Sequence, residues 1–124
     1  METTLNILVI LTILMLSGLG IMSMFAPRRM VASFAIKPVG TAGLSTIRSV
    51  IGGLFLASVT LLVIGLTTGQ TLGYAAVAVL MAVVAAGRIV GILADGFDKA
   101  VVPPLVAELM IIGVLVTANY QLSA

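Results

Sequence analysis

Residues 73–99 read GYAAVAVLMAVVAAGRIVGILADGFDK, and this stretch decides the class of the fold. It opens as an unbroken apolar run long enough to cross a bilayer, yet it carries Arg88 well inside that run. An arginine near the centre of a membrane helix costs about 2.5–3.5 kcal/mol on insertion scales, and less toward the ends. A partner, water or a ligand must therefore compensate it. Asp95 follows seven residues later, two helical turns on and on the same helix face.

Composition agrees with that reading. Hydrophobic residues make up 61% and charged residues 8% of 124 positions, whereas a soluble domain carries roughly 25% charged residues. Such a chain has no surface to show water, so it belongs in a membrane. A net charge of +2 is too small to imply a nucleic-acid partner; in a membrane protein the position of each positive charge is what matters. Cysteine is absent, which removes disulfides, thiolate nucleophiles and cysteine metal sites. Histidine is absent too, and with it the usual haem, zinc and copper ligands and the commonest general base. No cofactor is expected. Enzyme activity is not expected either, because Asp95, Asp98 and Glu108 would have to do all the acid–base work without a nucleophile or a metal-ligand set.

Four spans account for nearly the whole chain, as a single all-α transmembrane domain built from two antiparallel hairpins. Residues 5–26 are free of charge and would extend about 33 Å as a helix, enough for a hydrocarbon core of about 30 Å. The leading Met-Glu-Thr-Thr is not a basic signal-peptide start and no Ala-x-Ala site follows, so this is read as a retained first span. Ser17, Gly18, Gly20 and Ser23 give it a small-residue patch for a neighbouring helix, and Pro27 with Arg28-Arg29 closes it. The second span is placed at 47–66, with Arg48 in its first turn and Gly52-Gly53 as a close-packing point. The third is placed at 72–94 and the last at 105–121, with Glu108 in its first turn. In the third span, Ala82 belongs to an alanine repeat and Gly87-x-x-x-Gly91 follows, which predicts a central helix packed through its small residues. Phe25, Tyr74, Phe97 and Tyr120 fall at span ends, where aromatic rings collect at the membrane–water boundary.

The connections set the expected orientation. Residues 30–46 form the longest one, read either as a short helix lying in the interface or as an irregular loop. Residues 67–71 form a tight uncharged turn, and the Pro103-Pro104 pair is assigned to the third connection. Arg28, Arg29 and Lys37 lie in the first connection and Lys99 in the third, while the tails and second connection hold no basic residue. The positive-inside rule then makes the first and third connections cytoplasmic and leaves both termini on the outer side.

That geometry gathers Arg48, Arg88, Asp95 and Glu108 in one leaflet. Arg88 and Glu108 come to comparable depth, so an ion pair between them is the cheapest way to keep both charged. The pair either fixes helix register or forms part of a polar site, with Arg48 lining the same cavity.

The pattern Arg48-x-x-x-Gly52-Gly53-Leu54, then Gly87-Arg88-x-x-Gly91-x-x-x-Asp95-Gly96, then Glu108-Leu109 resembles a family of small four-span bacterial membrane proteins. That family is catalogued as domain of unknown function 4345. The resemblance covers nearly the whole chain, including Phe25-x-Pro27, and departs from the pattern at Ile51, where an aromatic such as tyrosine would be expected. It implies the fold and a membrane location but supplies no reaction. Three functional classes follow. The first is a non-enzymatic inner-membrane protein whose Arg/Glu/Asp site binds a lipid headgroup or small anion. The second is an accessory subunit or assembly partner of a larger membrane complex, or a homo-oligomer. A small proton-coupled exporter fits least, because the carboxylate nearest a span interior, Glu108, sits close to an interface.

Overall fold

Four helices long and apolar enough to cross a membrane run through the computed structural model, which describes residues 2–32 and 34–122; no strand occurs among the described residues. Helix α1 covers Glu2–Phe25 and a single turn and a half, α2, covers Pro27–Ala32. Helix α3, Gly40–Thr46, continues through a π-helical turn at Ile47–Ile51 into α4, Gly52–Thr68. Helix α5 covers Leu72–Asp95, and a 3₁₀ turn at Lys99–Val101 leads into α6, Val102–Leu122.

Two span limits differ from the sequence reading. The second span begins at Gly40 instead of residue 47, giving one helical run of 29 residues, Gly40–Thr68. Gly40 takes a left-handed φ of +64° that a side chain would resist, and it turns the chain from Val39 into the helix. The last span begins at Lys99 instead of residue 105. Pro103 and Pro104 do not form a connection; they occupy the first turn of α6, where backbone N–H groups have no intrahelical acceptor and their loss costs little. The carboxylate of Asp98 accepts the Ala100 N–H at 2.9 Å and so caps this entry. The short helix expected after the first span is α2, which comes earlier than residues 30–46. Pro27 starts it, Arg28 and Arg29 are exposed, and Met30 and Val31 are buried.

The turn between α4 and α5 is as tight as its composition implies. Gly69 sits at φ +77° and donates its N–H to the Gly65 carbonyl at 3.0 Å, the left-handed cap that ends many helices. Helix α1 packs most closely on α4 and α5 on α6, and the two pairs meet along α4–α5 and α1–α6. The main core lies toward the α4–α5 turn. It is built from Val9 and Leu16 of α1, Leu62 of α4, Tyr74, Val77 and Met81 of α5, and Ile111 and Leu115 of α6. A smaller cluster of Met30, Val31 and Ile47, with Phe34 and Ile51 against it, closes the opposite end.

Helix contacts in lipid depend on how closely backbones can approach, because the tails outside are as apolar as the core. The close approaches here are at Gly20, Gly52, Gly65 and Gly73. A Cβ on Gly73 would stand 2.5 Å from the Leu61 carbonyl oxygen, and one on Gly65 would stand 2.7 Å from the Tyr74 ring. Gly52 packs on Gly20 and Ser23 of α1, as expected. The other small residues expected to pack do not. Ala82 and Gly87 are exposed, and a Cβ on Gly53, Gly87 or Gly91 would meet nothing. They face away from the neighbouring helices, so α5 is not central; it touches α4 and α6 through Tyr74, Val77, Ala78, Met81 and Ala85. Tyr74 is also no boundary aromatic, since its ring fills the space that Gly65 leaves in the core. Phe25, Phe97 and Tyr120 are exposed at helix ends.

Candidate functional site: an apolar cavity with one ion pair

Toward the end of the bundle that carries the first and third connections, the helices frame a partly open cavity of about 770 Å³. All four spans line it. Leu16 and Leu19 come from α1, Ile51, Leu54, Phe55 and Ser58 from the second span, Leu80, Met81 and Val84 from α5, and Ala107 and Ile111 from α6. Phe34 and the Ala100–Pro104 segment contribute at its connection end. Among the described residues, the polar side chains in its walls are Ser58, Arg88 and Glu108. The Ser58 hydroxyl already donates to the Leu54 carbonyl one turn back, at 2.8 Å.

Helix register brings the two charges together. Arg88 lies seven residues before the end of α5 and Glu108 six residues after the start of α6. At 1.5 Å per residue, each is about 10 Å from the same end of the α5–α6 hairpin. The Arg88 Nε donates to both carboxylate oxygens of Glu108, at 2.7 and 2.9 Å. Charge-assisted bonds of this length are among the stronger ones available to a protein. Glu108 is the more enclosed partner, with 10% of its side chain exposed against 29% for Arg88. Both bonds engage Nε, so the N–H groups on Nη1 and Nη2 are left over from the pair. Arg88 also borders an outer, more open cleft between the end of α5 and the turn that follows it, lined by Gly87, Gly91, Asp95, Asp98 and Val101. Arg88 therefore lines both an apolar space and a second one whose walls are more polar.

The other two members of the expected cluster are elsewhere. Asp95 is exposed at the last turn of α5 and borders only the outer cleft. It shares a helix face with Arg88, but seven residues is about 10 Å along the axis, while side chains that meet on a helix are three or four apart. Arg48 does not line the cavity. It is exposed, and its Nη1 donates to the Met24 carbonyl near the end of α1. The last carbonyls of a helix lack intrahelical donors and carry partial negative charge, so this arginine caps α1 from the π-helical turn opposite. Equal depth is not shared direction, and Arg48 points to the α1 terminus instead of inward.

Sequence reasoning missed the size of the cavity and the apolar residues that shape it, Phe34, Phe55 and Leu80 among them. No signal marked them, because an apolar residue facing a cavity looks the same as one facing lipid. The close approach at Gly65 was legible in principle: a glycine and a tyrosine nine residues apart flank a tight turn, where a large ring on one helix needs a gap on the other. Among the described residues no group of three or more His, Cys, Asp or Glu is gathered closely enough to hold a metal ion.

Four spans with this cavity make the chain a multi-pass membrane protein, and its similarity to known proteins lies at the level of the family. No curated protein and no solved structure matches it. Residues 4–119, nearly the entire sequence, match the family described as "domain of unknown function (DUF4345)", and the chain belongs to that family.

Proposed function

We propose that this is a non-enzymatic integral protein of the bacterial inner membrane that binds a lipid headgroup or a small anion at Arg88 and Glu108, near the cytoplasmic face. The observation that carries the reading is the guanidinium of Arg88. It is held by one nitrogen on Glu108 while the cavity of about 770 Å³ opens beside it. Pockets for small ligands commonly fall within about 300–1,000 Å³, with mostly apolar walls and a few fixed polar groups. Native mass spectrometry of the detergent-extracted chain is the direct test. Wild type should retain a non-covalent adduct, and the charge-neutral double variant Arg88→Leu/Glu108→Leu should lose it. Bare mass for the wild type under the gentlest activation would overturn the reading.

A second reading has its own support. The outward-facing Gly53, Ala82, Gly87 and Gly91 offer close approach to a further helix. They favour an accessory subunit of a larger membrane complex, or a homo-oligomer, over a solitary bundle. Crosslinking from Ala82→Cys in membranes separates these, because a partner protein and a second copy give adducts of different mass.

A further inference from the structure

The walls of the cavity constrain what can occupy it more tightly than a headgroup or small anion. The apolar part begins at Arg88 and reaches Leu80 on the same helix, about 12 Å at 1.5 Å per residue. Along that length the Ser58 hydroxyl is taken up by its own helix. A small hydrated ion would leave this space to water, and an apolar cavity of this kind does not hold water well. A hydrocarbon chain would fill it and gain the hydrophobic term.

The charge of the site decides the head. Arg88 is balanced by Glu108, and among the described residues no other charged side chain lines the cavity: Arg48 is turned to Met24, and Lys37 and Lys99 are not in its walls. The lining is therefore net neutral. A full anion brought into a neutral low-dielectric space would have no counter-charge of its own and would face the Glu108 carboxylate as well. The groups left over from the ion pair, the N–H bonds of Nη1 and Nη2, are donors and can only meet acceptors.

We propose that the occupant is an uncharged single-chain lipid whose head offers a carbonyl or ester oxygen to Arg88 while its tail lies among Leu16, Phe55, Leu80 and Ile111. This rests on the reading of Arg88 and Glu108 as a binding site and narrows what they bind.

The test uses the purified full chain in a non-ionic amphipol and three matched probes: 1-decanoylglycerol, decyl phosphate and inorganic phosphate. Thermal unfolding is followed by far-UV circular dichroism. 1-Decanoylglycerol at saturating concentration should raise Tm by about 5 °C, with a far smaller rise for decyl phosphate and none for inorganic phosphate. Leu80→Trp, which fills the tail region and leaves the ion pair intact, should abolish the shift. Ala107→Leu serves the same purpose if the tryptophan variant does not fold. A larger shift with decyl phosphate than with 1-decanoylglycerol overturns the uncharged head and leaves a binding site standing. A shift with inorganic phosphate overturns the tail in the same way. If no probe shifts Tm and the wild type shows no adduct by native mass spectrometry, the inference and the binding site fall together. An undiminished shift in both filling variants places the ligand outside the cavity and overturns the inference alone.

Discussion

Breaking the Arg88–Glu108 pair from either side should destabilise the bundle, and breaking it from both sides should do little. The contacts are 2.7 and 2.9 Å, at which two unit charges attract by about 6 kcal/mol gross in an effective dielectric of about 20. Desolvation of both ions takes back most of that, which is why replacing a whole buried pair by apolar residues is often neutral. Removing one partner is different, since it leaves the other charge enclosed, at about 3–5 kcal/mol when the pair is fully buried. Arg88 keeps 29% of its side chain exposed and has a long stem that can lean toward the interface, so the full range does not apply. We expect Glu108→Leu and Arg88→Leu each to cost about 2–3 kcal/mol, and the double variant to lie within about 1 kcal/mol of wild type.

The assay is equilibrium unfolding in mixed micelles, titrating SDS and reading helix content, with the four proteins of the cycle measured side by side. Additive single costs, or single variants indistinguishable from wild type, would refute the claim that the pair is a coupled, enclosed unit.

Glycine substitutions should follow the local space and ignore how motif-like the residue looks. Gly73→Ala, whose new Cβ would collide with the Leu61 carbonyl, should cost about 1–3 kcal/mol, and Gly65→Ala against the Tyr74 ring a similar amount, both by SDS titration. Gly87→Ala and Gly91→Ala should be neutral or stabilising by up to about 1 kcal/mol, since they gain helix propensity and meet nothing. Arg48→Leu should cost about 0.5–1.5 kcal/mol through the lost bond to Met24 and leave 1-decanoylglycerol binding unchanged; a loss of binding would return Arg48 to the cavity. For orientation, Thr3→Cys and Thr68→Cys should react with an impermeant thiol reagent in intact cells, and labelling only after lysis would invert the proposed topology.

What could be read from the residues, and what could not, divides along a physical line. Depth in the membrane was legible. A charge-free run has a length, a turn has a position, and counting at 1.5 Å per residue put Arg88 and Glu108 at one level before any contact was seen. Direction around a helix was not. In a soluble helix the polar face names the outside, but here lipid and core are equally apolar, so Leu80 in the cavity and Val83 toward lipid carry the same signal. That is why depth alone groups Arg48 with Arg88, and why the small-residue spacing points to Ala82, Gly87 and Gly91 while the close approaches lie at Gly65 and Gly73. The one pair whose partner was legible is the one for which depth suffices, because adjacent antiparallel helices joined by a short connection leave two buried opposite charges at equal depth little other choice. The same asymmetry explains where the ligand question sits. In the proposed binding mode the head meets Arg88, a charged residue that sequence can place. The proposed tail site depends on the facing of Phe55, Leu80 and Ile111, which follows only from glycines such as Gly20, Gly52, Gly65 and Gly73 drawing α1 to α4 and α4 to α5. Those contacts draw the helices together within each interface and leave the space between the α1–α4 and α5–α6 pairs unfilled beside Arg88, so the cavity follows from where the small residues are placed as much as from the large ones that line it.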